Sequence, residues 1–187
     1  MRITGGLVKG RLLANPKGLN IRPTTDQVRE AIFSIIGQDL SGLRVLDLFA
    51  GTGSLGLEAM SRGALQALFI DNSPQSLRLI RKNLALCGFQ DSGFVVRRDL
   101  RKEIILTRAL EGELFDLVFL DPPYGKNLIP LLLEELSRKG LLSSEARVIA
   151  ESSKTEGLPV AMGNLHTVDT RLYGDTKISL YAYEVTQ

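Results

Sequence analysis

From Leu43 onward, short apolar runs alternate with amphipathic segments, and this alternation restricts the fold more than any other feature of the sequence. The predicted strands cover residues 44–49, 66–71, 94–98, 115–121 and 147–151, and the predicted helices lie near residues 54–62, 74–88, 101–111 and 127–138. Strands that alternate with helices run parallel, because each helix crosses back over the sheet. The sequence therefore predicts a doubly wound α/β sheet.

The last part of the chain breaks this alternation. Residues 166–172 and 177–184 both predict strands, and the turn signal Tyr173-Gly174-Asp175 joins them. Without a helix between them, the two strands must pair as an antiparallel hairpin at one edge of the sheet. A seven-stranded, mostly parallel sheet that ends in such a hairpin has the Rossmann-like topology of class I methyltransferases that use S-adenosyl-L-methionine (AdoMet). Residues 41–187 are assigned to this domain.

Residues 1–40 form an N-terminal extension with a different pattern. MRITGGLVKGRLLANP predicts a small β-hairpin, and Thr24 is a possible N-cap of a helix that ends before Gly37. Residues 1–30 carry a net charge of +4, against −2 for the rest of the chain. Such a segment either contacts a polyanion or is a solvated surface. The cations proposed to contact such a polyanion are Arg2, Lys9, Arg11, Arg22 and Arg29.

Composition excludes several classes of protein. Hydrophobic residues make up 44% and charged residues 24% of the 187 residues, which is ordinary for one globular domain with a small appendage. No apolar run approaches the roughly 18 residues of a membrane span, and the first residues lack a leader pattern. A cytoplasmic monomer is expected. With only Cys87 and His166, neither an intramolecular disulfide nor a metal cluster is expected.

The stretch DLFAGTGSLG follows the first predicted strand and contains Gly51, Gly53 and Gly56 as G-x-G-x-x-G. This spacing is typical of loops that hold a dinucleotide pyrophosphate at a helix N-terminus. Asp47 argues against that ligand, because a carboxylate repels a diphosphate and attracts an ammonium or sulfonium group. Asp71 closes the second strand about twenty residues after Gly51, where a carboxylate can accept ribose hydroxyls.

Two further acids follow predicted strands. Asp99 ends the third strand and could reach an adenine amine or cap a helix. Asp121 ends the fourth strand and opens the D-P-P-Y segment, residues 121–124, so we expect it beside the glycine loop. An exocyclic base amine is a poor nucleophile, because its lone pair is delocalised into the ring. The Asp121 carboxylate and the Pro122 carbonyl can hold its N–H bonds, and Tyr124 offers a face for the base.

These motifs resemble the bacterial small-subunit ribosomal RNA guanine-N2 methyltransferases of the RsmD type. The resemblance covers nearly the whole chain. Beyond the glycine loop and D-P-P-Y, three segments carry it: RITGGLVKGRLL near the start, RPTTDQVREA at residues 22–31 and RLYGDT at residues 171–176. It implies an AdoMet donor, an N2-methylguanosine product and, as substrate, 16S rRNA in the small ribosomal subunit or its assembly intermediate.

Site residues follow from the resemblance position by position. It matches Asp47, Gly51, Gly53, Asp71, Asp99 and Asp121 to the cofactor and catalytic positions of the family. The predicted cofactor site also includes their neighbours Phe49, Ala50, Thr52, Asn72 and Leu100. The predicted catalytic segment comprises Asp121, Pro122, Pro123 and Tyr124. Glu58 in the first helix of the domain is a less specific match.

Three other functions remain open on the residues alone. A DNA adenine-N6 methyltransferase uses the same D-P-P-Y chemistry, although only about 40 residues precede the core here. A dinucleotide-binding oxidoreductase is disfavoured by Asp47. A non-catalytic RNA-binding module is disfavoured by the intact Asp121 and Tyr124. The preference for guanine over adenine, and for RNA over DNA, rests on the resemblance.

Overall fold

The computed structural model of the chain describes residues 1–15, 26–101 and 114–184. Contacts group the chain into two compact units, Met1–Arg98 and Asp99–Gln187. Within the described ranges the elements are α1 Asp26–Ile36, β1 Arg44–Leu48, α2 Ser54–Ser61, β2 Gln66–Asp71, α3 Pro74–Cys87, β3 Gly93–Arg97, β4 Phe115–Leu120, α4 Leu128–Arg138, β5 Leu142–Ser153, β6 Ala161–Met162, β7 Leu165–Tyr173 and β8 Thr176–Tyr183. The helix predicted near residues 101–111 and the possible cap Thr24 lie outside these ranges.

The first unit contains three parallel strands in the order β3-β2-β1. Val45, Leu46 and Leu48 of β1 are all buried, which is the pattern of a parallel strand covered on both faces. The register places Asp47 of β1 opposite Phe69 of β2. The predicted strands 44–49 and 66–71 are confirmed, the second to the residue.

Helix α3 begins and ends where the sequence predicts. The Ser73 hydroxyl accepts a hydrogen bond from the Ser76 amide at 3.3 Å, and Pro74 occupies the first turn, where its missing N–H costs nothing. Gly88 takes the left-handed conformation (φ 77°) that ends a helix and that glycine adopts without strain. Local sequence signals alone therefore fix this element.

The second unit is mixed, with the strand order β4-β5-β8-β7-β6. β4 and β5 are parallel, whereas β8 pairs antiparallel with both β5 and β7, which confirms the predicted hairpin. The prediction of seven strands is wrong, since the described residues form eight. The additional strand, β6, has only two residues, too few to show a hydrophobic period. No described helix is both long enough and apolar enough to cross a bilayer.

Residues 1–15 contain a small antiparallel turn structure with a bridge between Arg2 and Leu12. The Ile3 amide donates to the Arg11 carbonyl at 3.0 Å, and the Gly10 amide donates to the Ile3 carbonyl at 2.8 Å. We call residues 1–13 the N-terminal hairpin. Ile3 is fully buried and Leu13 nearly so, so the hairpin contributes to the core of the first unit.

Candidate functional site

The glycine loop, residues 49–53, joins the carboxyl end of β1 to the N-terminus of α2. Phe49, Gly51 and Gly53 all have positive φ angles, of 61°, 55° and 78°. Two of these three positive-φ positions are glycine, which adopts the conformation without strain. Gly56 serves a different purpose within α2, because a Cβ there would lie 2.4 Å from Cε1 of Phe69. Glycine therefore lets α2 pack directly against β2.

Two backbone amides of the G-x-G-x-x-G motif donate hydrogen bonds to carboxylates of the same unit. The Gly51 amide donates to Oδ2 of Asp71 at 2.9 Å, and the Gly56 amide donates to Oδ2 of Asp47 at 2.9 Å. The Gly53 amide donates a hydrogen bond to the Ala50 carbonyl at 2.6 Å. A pyrophosphate would need such amides and would meet two carboxylates instead. The arrangement suits a nucleoside with a positive charge and no phosphate.

Asp47 lies within β1 and is 2% exposed. Burial raises the pKa of its carboxyl from 3.8 to about 7, and the charge of Asp71 adds to this, while the hydrogen bond from Gly56 opposes it. Removal from water disfavours the charged form, and a nearby cation would restore it. Asp47 can therefore change its charge near neutral pH when a cationic ligand binds.

A pH-dependent stability follows from Asp47. The unfolded carboxyl ionises near pH 3.8 and the folded one near pH 7. Between these values the native state binds more protons than the unfolded state, so stability falls as pH rises and the loss is complete above about pH 7. We expect the ligand-free wild type to lose about 1–3 kcal/mol more unfolding free energy than Asp47→Asn between pH 5 and pH 8, measured by urea denaturation. Parallel pH dependences of the two proteins would contradict the proposed burial cost.

Asp71 is the last residue of β2 and is half-buried. Its Oδ1 accepts from the Ser73 amide at 2.8 Å, while Oδ2 accepts from Gly51. Each carboxylate oxygen can accept two hydrogen bonds, so both oxygens keep capacity for a further donor. The two amides also fix the plane of the carboxylate. Asp71 thus keeps acceptor capacity on both oxygens, and a contact with ribose hydroxyls stays a prediction.

Three other predicted cofactor residues flank this pair of acids. Thr52 is buried, and its carbonyl accepts from Nδ2 of Asn83 at 2.9 Å. The Ala50 amide donates to the Ile70 carbonyl at 3.1 Å. Asn72 is exposed, and its carbonyl accepts from Nε of Arg97 at 3.2 Å. Sequence reasoning missed Asn83, although a polar residue on the apolar face of a helix is a detectable signal.

Asp99 and Leu100 belong to the second unit and lie just beyond β3. Leu100 is buried, whereas Asp99 forms a two-pronged pair with Arg101, at 2.7 Å to Nε and 2.8 Å to Nη2. Asp99 raises the pKa of the exposed Arg101 guanidinium by hydrogen bonding and charge. A contact between Asp99 and an adenine amine stays a prediction.

The D-P-P-Y segment directly follows β4. Asp121 is half-buried, Pro122 is buried and Pro123 is exposed. The Tyr124 hydroxyl donates to Oε1 of Glu151 at 2.9 Å. Burial, opposed by a hydrogen bond to Thr176 and reinforced by the charges of Glu151 and Asp121, raises the pKa of Tyr124 to about 12. Tyr124 therefore stays neutral and close to the Asp121 charge. That Asp121 lies beside the glycine loop stays a prediction.

Glu58 is the centre of a buried network in the first unit. It is fully buried in α2 and accepts hydrogen bonds from both the amide and the hydroxyl of Thr4, at 2.8 Å each. It also accepts from the Gly5 amide at 2.8 Å. Arg29 and Arg62 form ion pairs with the same carboxylate at 3.2 Å and 2.8 Å. Glu58 thus joins the N-terminal hairpin to α1 and α2.

Arg29 requires a correction. Its side chain is fully buried, and besides Glu58 it bonds to Asp26 and to the Arg2 carbonyl. A guanidinium enclosed in this way has no surface to offer a phosphate, so Arg29 supports the fold and is not an RNA-facing cation. The basic segment misled the prediction because net charge does not distinguish paired from exposed cations.

The other predicted RNA contacts differ in position. Arg2, Lys9 and Arg11 are exposed on the N-terminal hairpin, beside the exposed Leu7 and Leu12. Arg22 lies outside the described residues. The hairpin thus presents three cations that remain candidates for contact with a polyanion.

Cysteine and histidine could indicate nucleophilic or metal chemistry, but the surroundings of Cys87 and His166 are those of structural residues. Cys87 is buried at the end of α3, and burial raises the pKa of its thiol. His166 lies 3.3 Å from the Glu184 carboxylate on the antiparallel edge. Among the described residues, no cluster of histidine, cysteine and acidic side chains could hold a metal ion.

Comparison with known proteins agrees with this architecture. A family model described as "Conserved hypothetical protein 95" matches residues 1–182. Ribosomal RNA small subunit methyltransferase D of Escherichia coli (strain K12) is 33% identical over 98% of this chain and 90% of its own length. A conserved hypothetical protein of Streptococcus pyogenes is 36% identical, with a TM-score of 0.75 over 84% of this chain and 96% of that chain.

More distant structures share the fold. An RNA methyltransferase from Salinibacter ruber, solved with S-adenosyl-L-homocysteine, is 20% identical and has a TM-score of 0.60 over 88% of this chain and 95% of that chain. The predicted Rossmann-like methyltransferase fold is therefore confirmed. Because the family model covers nearly the whole chain and a full-length relative is 33% identical, the chain belongs to the conserved hypothetical protein 95 family, which is the RsmD family.

Proposed function

We propose that this chain transfers a methyl group from AdoMet to the exocyclic N2 amine of a guanine in 16S rRNA. The expected target is position 966. The expected substrate is the small ribosomal subunit or its assembly intermediate, and the protein acts as a cytoplasmic monomer. The observation that carries the proposal is that two backbone amides of the glycine motif donate hydrogen bonds to the carboxylates of Asp71 and Asp47. The name of the E. coli relative supports an rRNA substrate.

The residues of the first unit fit AdoMet in charge and hydrogen bonding. When bound, AdoMet supplies an electrophilic methyl group on a sulfonium. Asp47, buried and ready to ionise near neutral pH, provides a negative charge for the cationic part of the ligand. Asp71 keeps acceptor capacity for the two ribose hydroxyls. A dinucleotide would meet the same two carboxylates with its pyrophosphate, which disfavours an oxidoreductase.

The D-P-P-Y segment is proposed to prepare the acceptor. The Asp121 carboxylate and the Pro122 carbonyl accept the two N–H bonds of the guanine amine, so that the nitrogen lone pair is free of the ring. Bound AdoMet would supply the methyl group to this nitrogen and would keep the electron pair of the broken carbon–sulfur bond. The methylated amine must then lose one proton, and the proposal assigns its acceptance to the Asp121 carboxylate. Orientation of the amine supplies most of the rate enhancement.

One experiment tests the function and separates its alternatives. Purified protein is incubated with radiolabelled AdoMet and, separately, naked 16S rRNA, unmethylated small subunits and duplex DNA, and the products are digested to nucleosides. We expect labelled N2-methylguanosine from RNA or subunits. Labelled N6-methyldeoxyadenosine from DNA would indicate the alternative methyltransferase. RNA binding without any label would indicate a non-catalytic module, and NAD binding without AdoMet binding would indicate an oxidoreductase.

The N-terminal hairpin is proposed to hold the RNA phosphates, and charge removal is the appropriate test. Deleting residues 1–20 would remove the buried Ile3 and leave Glu58 without Thr4 and Gly5, so it would also damage the fold. The triple variant Arg2→Ala, Lys9→Ala, Arg11→Ala keeps every backbone contact. We expect unchanged AdoMet affinity, weaker RNA binding and a salt slope smaller by about 2, because fewer counterions are released.

The matched control removes three exposed cations from the second unit. These are Arg138, Lys154 and Arg171, each in an exposed ion pair. Affinity and salt slope are measured by fluorescence anisotropy of labelled RNA over a salt series. An equal slope for the hairpin variant and the wild type would show that the hairpin is only a solvated surface.

A further inference from the structure

We propose that Glu151 and Thr176 are positioning residues that hold the Tyr124 ring by its hydroxyl and thereby set the face on which the target base stacks. The inference rests on the proposed function and extends it to two residues to which the sequence analysis assigned no role. The Tyr124 hydroxyl lies 2.9 Å from Oε1 of Glu151 and 3.4 Å from Oγ1 of Thr176.

Both partners occupy buried positions in paired strands. Glu151 lies near the carboxyl end of β5 and is 7% exposed. Thr176 is the first residue of β8 and is 2% exposed. The two strands pair antiparallel, with Glu151 opposite Ile178 and Ser153 opposite Thr176. The anchor of the tyrosine hydroxyl is therefore part of the sheet.

The anchor compensates for the backbone around Tyr124. Pro122 and Pro123 restrict the chain before the tyrosine, because each fixes its own φ angle. Gly125 follows with a φ angle of 70°, and a Cβ there would meet nothing within 4 Å. The backbone on that side contributes little restraint. The ring is thus held at its Cα by the proline turn and at its far end by Glu151 and Thr176.

The direction of the hydrogen bonds defines what Tyr124 can do. Phenol has one proton, and Glu151 takes it as an acceptor. Thr176 must then donate its own proton to the phenolic oxygen. Tyr124 consequently has no proton to donate to the target nucleobase. Its raised pKa keeps the hydroxyl neutral, so it does not accept a proton as a phenolate. What remains is a neutral ring of fixed orientation, which is the property that base stacking uses.

The test compares variants that remove or retain the anchor. Glu151→Ala and Tyr124→Phe should each lower kcat for RNA methylation by about 10- to 100-fold, because a small misplacement of the base is costly. AdoMet affinity should not change. Since both variants break the same bond, the double variant should be no slower than either alone. Glu151→Gln, which still offers an amide oxygen as acceptor, should restore most of the rate.

A second pair of variants guards against misfolding of Glu151→Ala. Thr176→Val removes the hydroxyl at nearly constant volume and should slow the reaction, whereas Thr176→Ser should recover it. Glu134→Ala removes an exposed acid on α4 and serves as the control. An ultraviolet titration should also show a lower pKa for Tyr124 in Glu151→Gln, because the carboxylate charge is gone.

Base stacking itself can be observed. The fluorescence of 2-aminopurine at the target position of an RNA oligonucleotide should be strongly quenched by wild-type protein. Glu151→Ala and Thr176→Val should quench it less. Wild-type rates and quenching in Tyr124→Phe, Glu151→Ala and Thr176→Val would overturn the anchoring role while leaving the proposed function intact. A wild-type protein that transfers no methyl group to RNA would instead overturn the proposed function, and the inference with it.

Discussion

We expect Asp121→Ala to lower kcat for RNA methylation by about 100- to 1,000-fold, the cost of removing one preorganised hydrogen-bonding group from a reaction centre. In the proposed mechanism the amine would lose the acceptor that keeps its lone pair out of the ring, and the proton it releases would lose the carboxylate assigned to accept it. AdoMet affinity should be nearly unchanged, because Asp47 and Asp71 provide the proposed cofactor contacts. Single-turnover methylation and calorimetry with AdoMet measure the two effects separately.

Asp121→Asn is the matched control for charge. Its side-chain carbonyl can still accept one N–H bond but cannot take the proton, so its rate should lie between those of the wild type and Asp121→Ala. Full activity of Asp121→Ala would refute the proposed role of the D-P-P-Y segment. Equal loss of AdoMet binding and of methylation would instead assign Asp121 to the cofactor.

Glu58→Ala is expected to have the largest effect on stability. Glu58 accepts six hydrogen bonds, from Thr4, Gly5, Arg29 and Arg62. Removing it leaves Arg62 without its carboxylate and Arg29 with Asp26 alone, and losing one partner of a buried pair costs about 3–5 kcal/mol. Urea denaturation measures the loss, and limited proteolysis should show earlier cleavage within the N-terminal hairpin.

Asp26→Ala provides the comparison for Glu58. Asp26 also pairs with Arg29, at 2.8 Å, but its side chain is 46% exposed. An exposed pair contributes about 0–1 kcal/mol, so this variant should remain close to the wild type. If the two variants lost similar stability, the buried network around Glu58 would not be what fixes the hairpin.

The elements with strong local signals were predictable from sequence. The Ser73 cap, Pro74 and Gly88 bracket α3, and the apolar run of β2 ends at Asp71. Such elements are determined by neighbours in the sequence, through capping and hydrophobic periodicity. Placing an acid at the end of a parallel strand was then enough to locate one side of the candidate site.

The features that escaped prediction depend on partners far along the chain. β5 is longer than predicted because Ser143, Ser144 and Glu145 do not resemble a buried strand. Glu151 is separated from Tyr124 by 27 residues and Thr176 by 52, so no local pattern connects them. Arg29 could not be recognised as buried without Glu58. Charge and spacing identify candidates, whereas tertiary pairing decides which of them face solvent.

The attachment of the N-terminal hairpin has a consequence for biosynthesis. The Thr4 amide donates to Glu58, 54 residues later in the chain, and the Ala14 amide donates to Asn83, 69 residues later. The hairpin is therefore translated before the helices that hold it, and its docking cannot be completed until α2 and α3 have emerged from the ribosome. During that interval Ile3 and Leu13, buried in the finished protein, remain exposed on the nascent chain. The N-terminal hairpin is thus synthesised early but is among the later segments to dock.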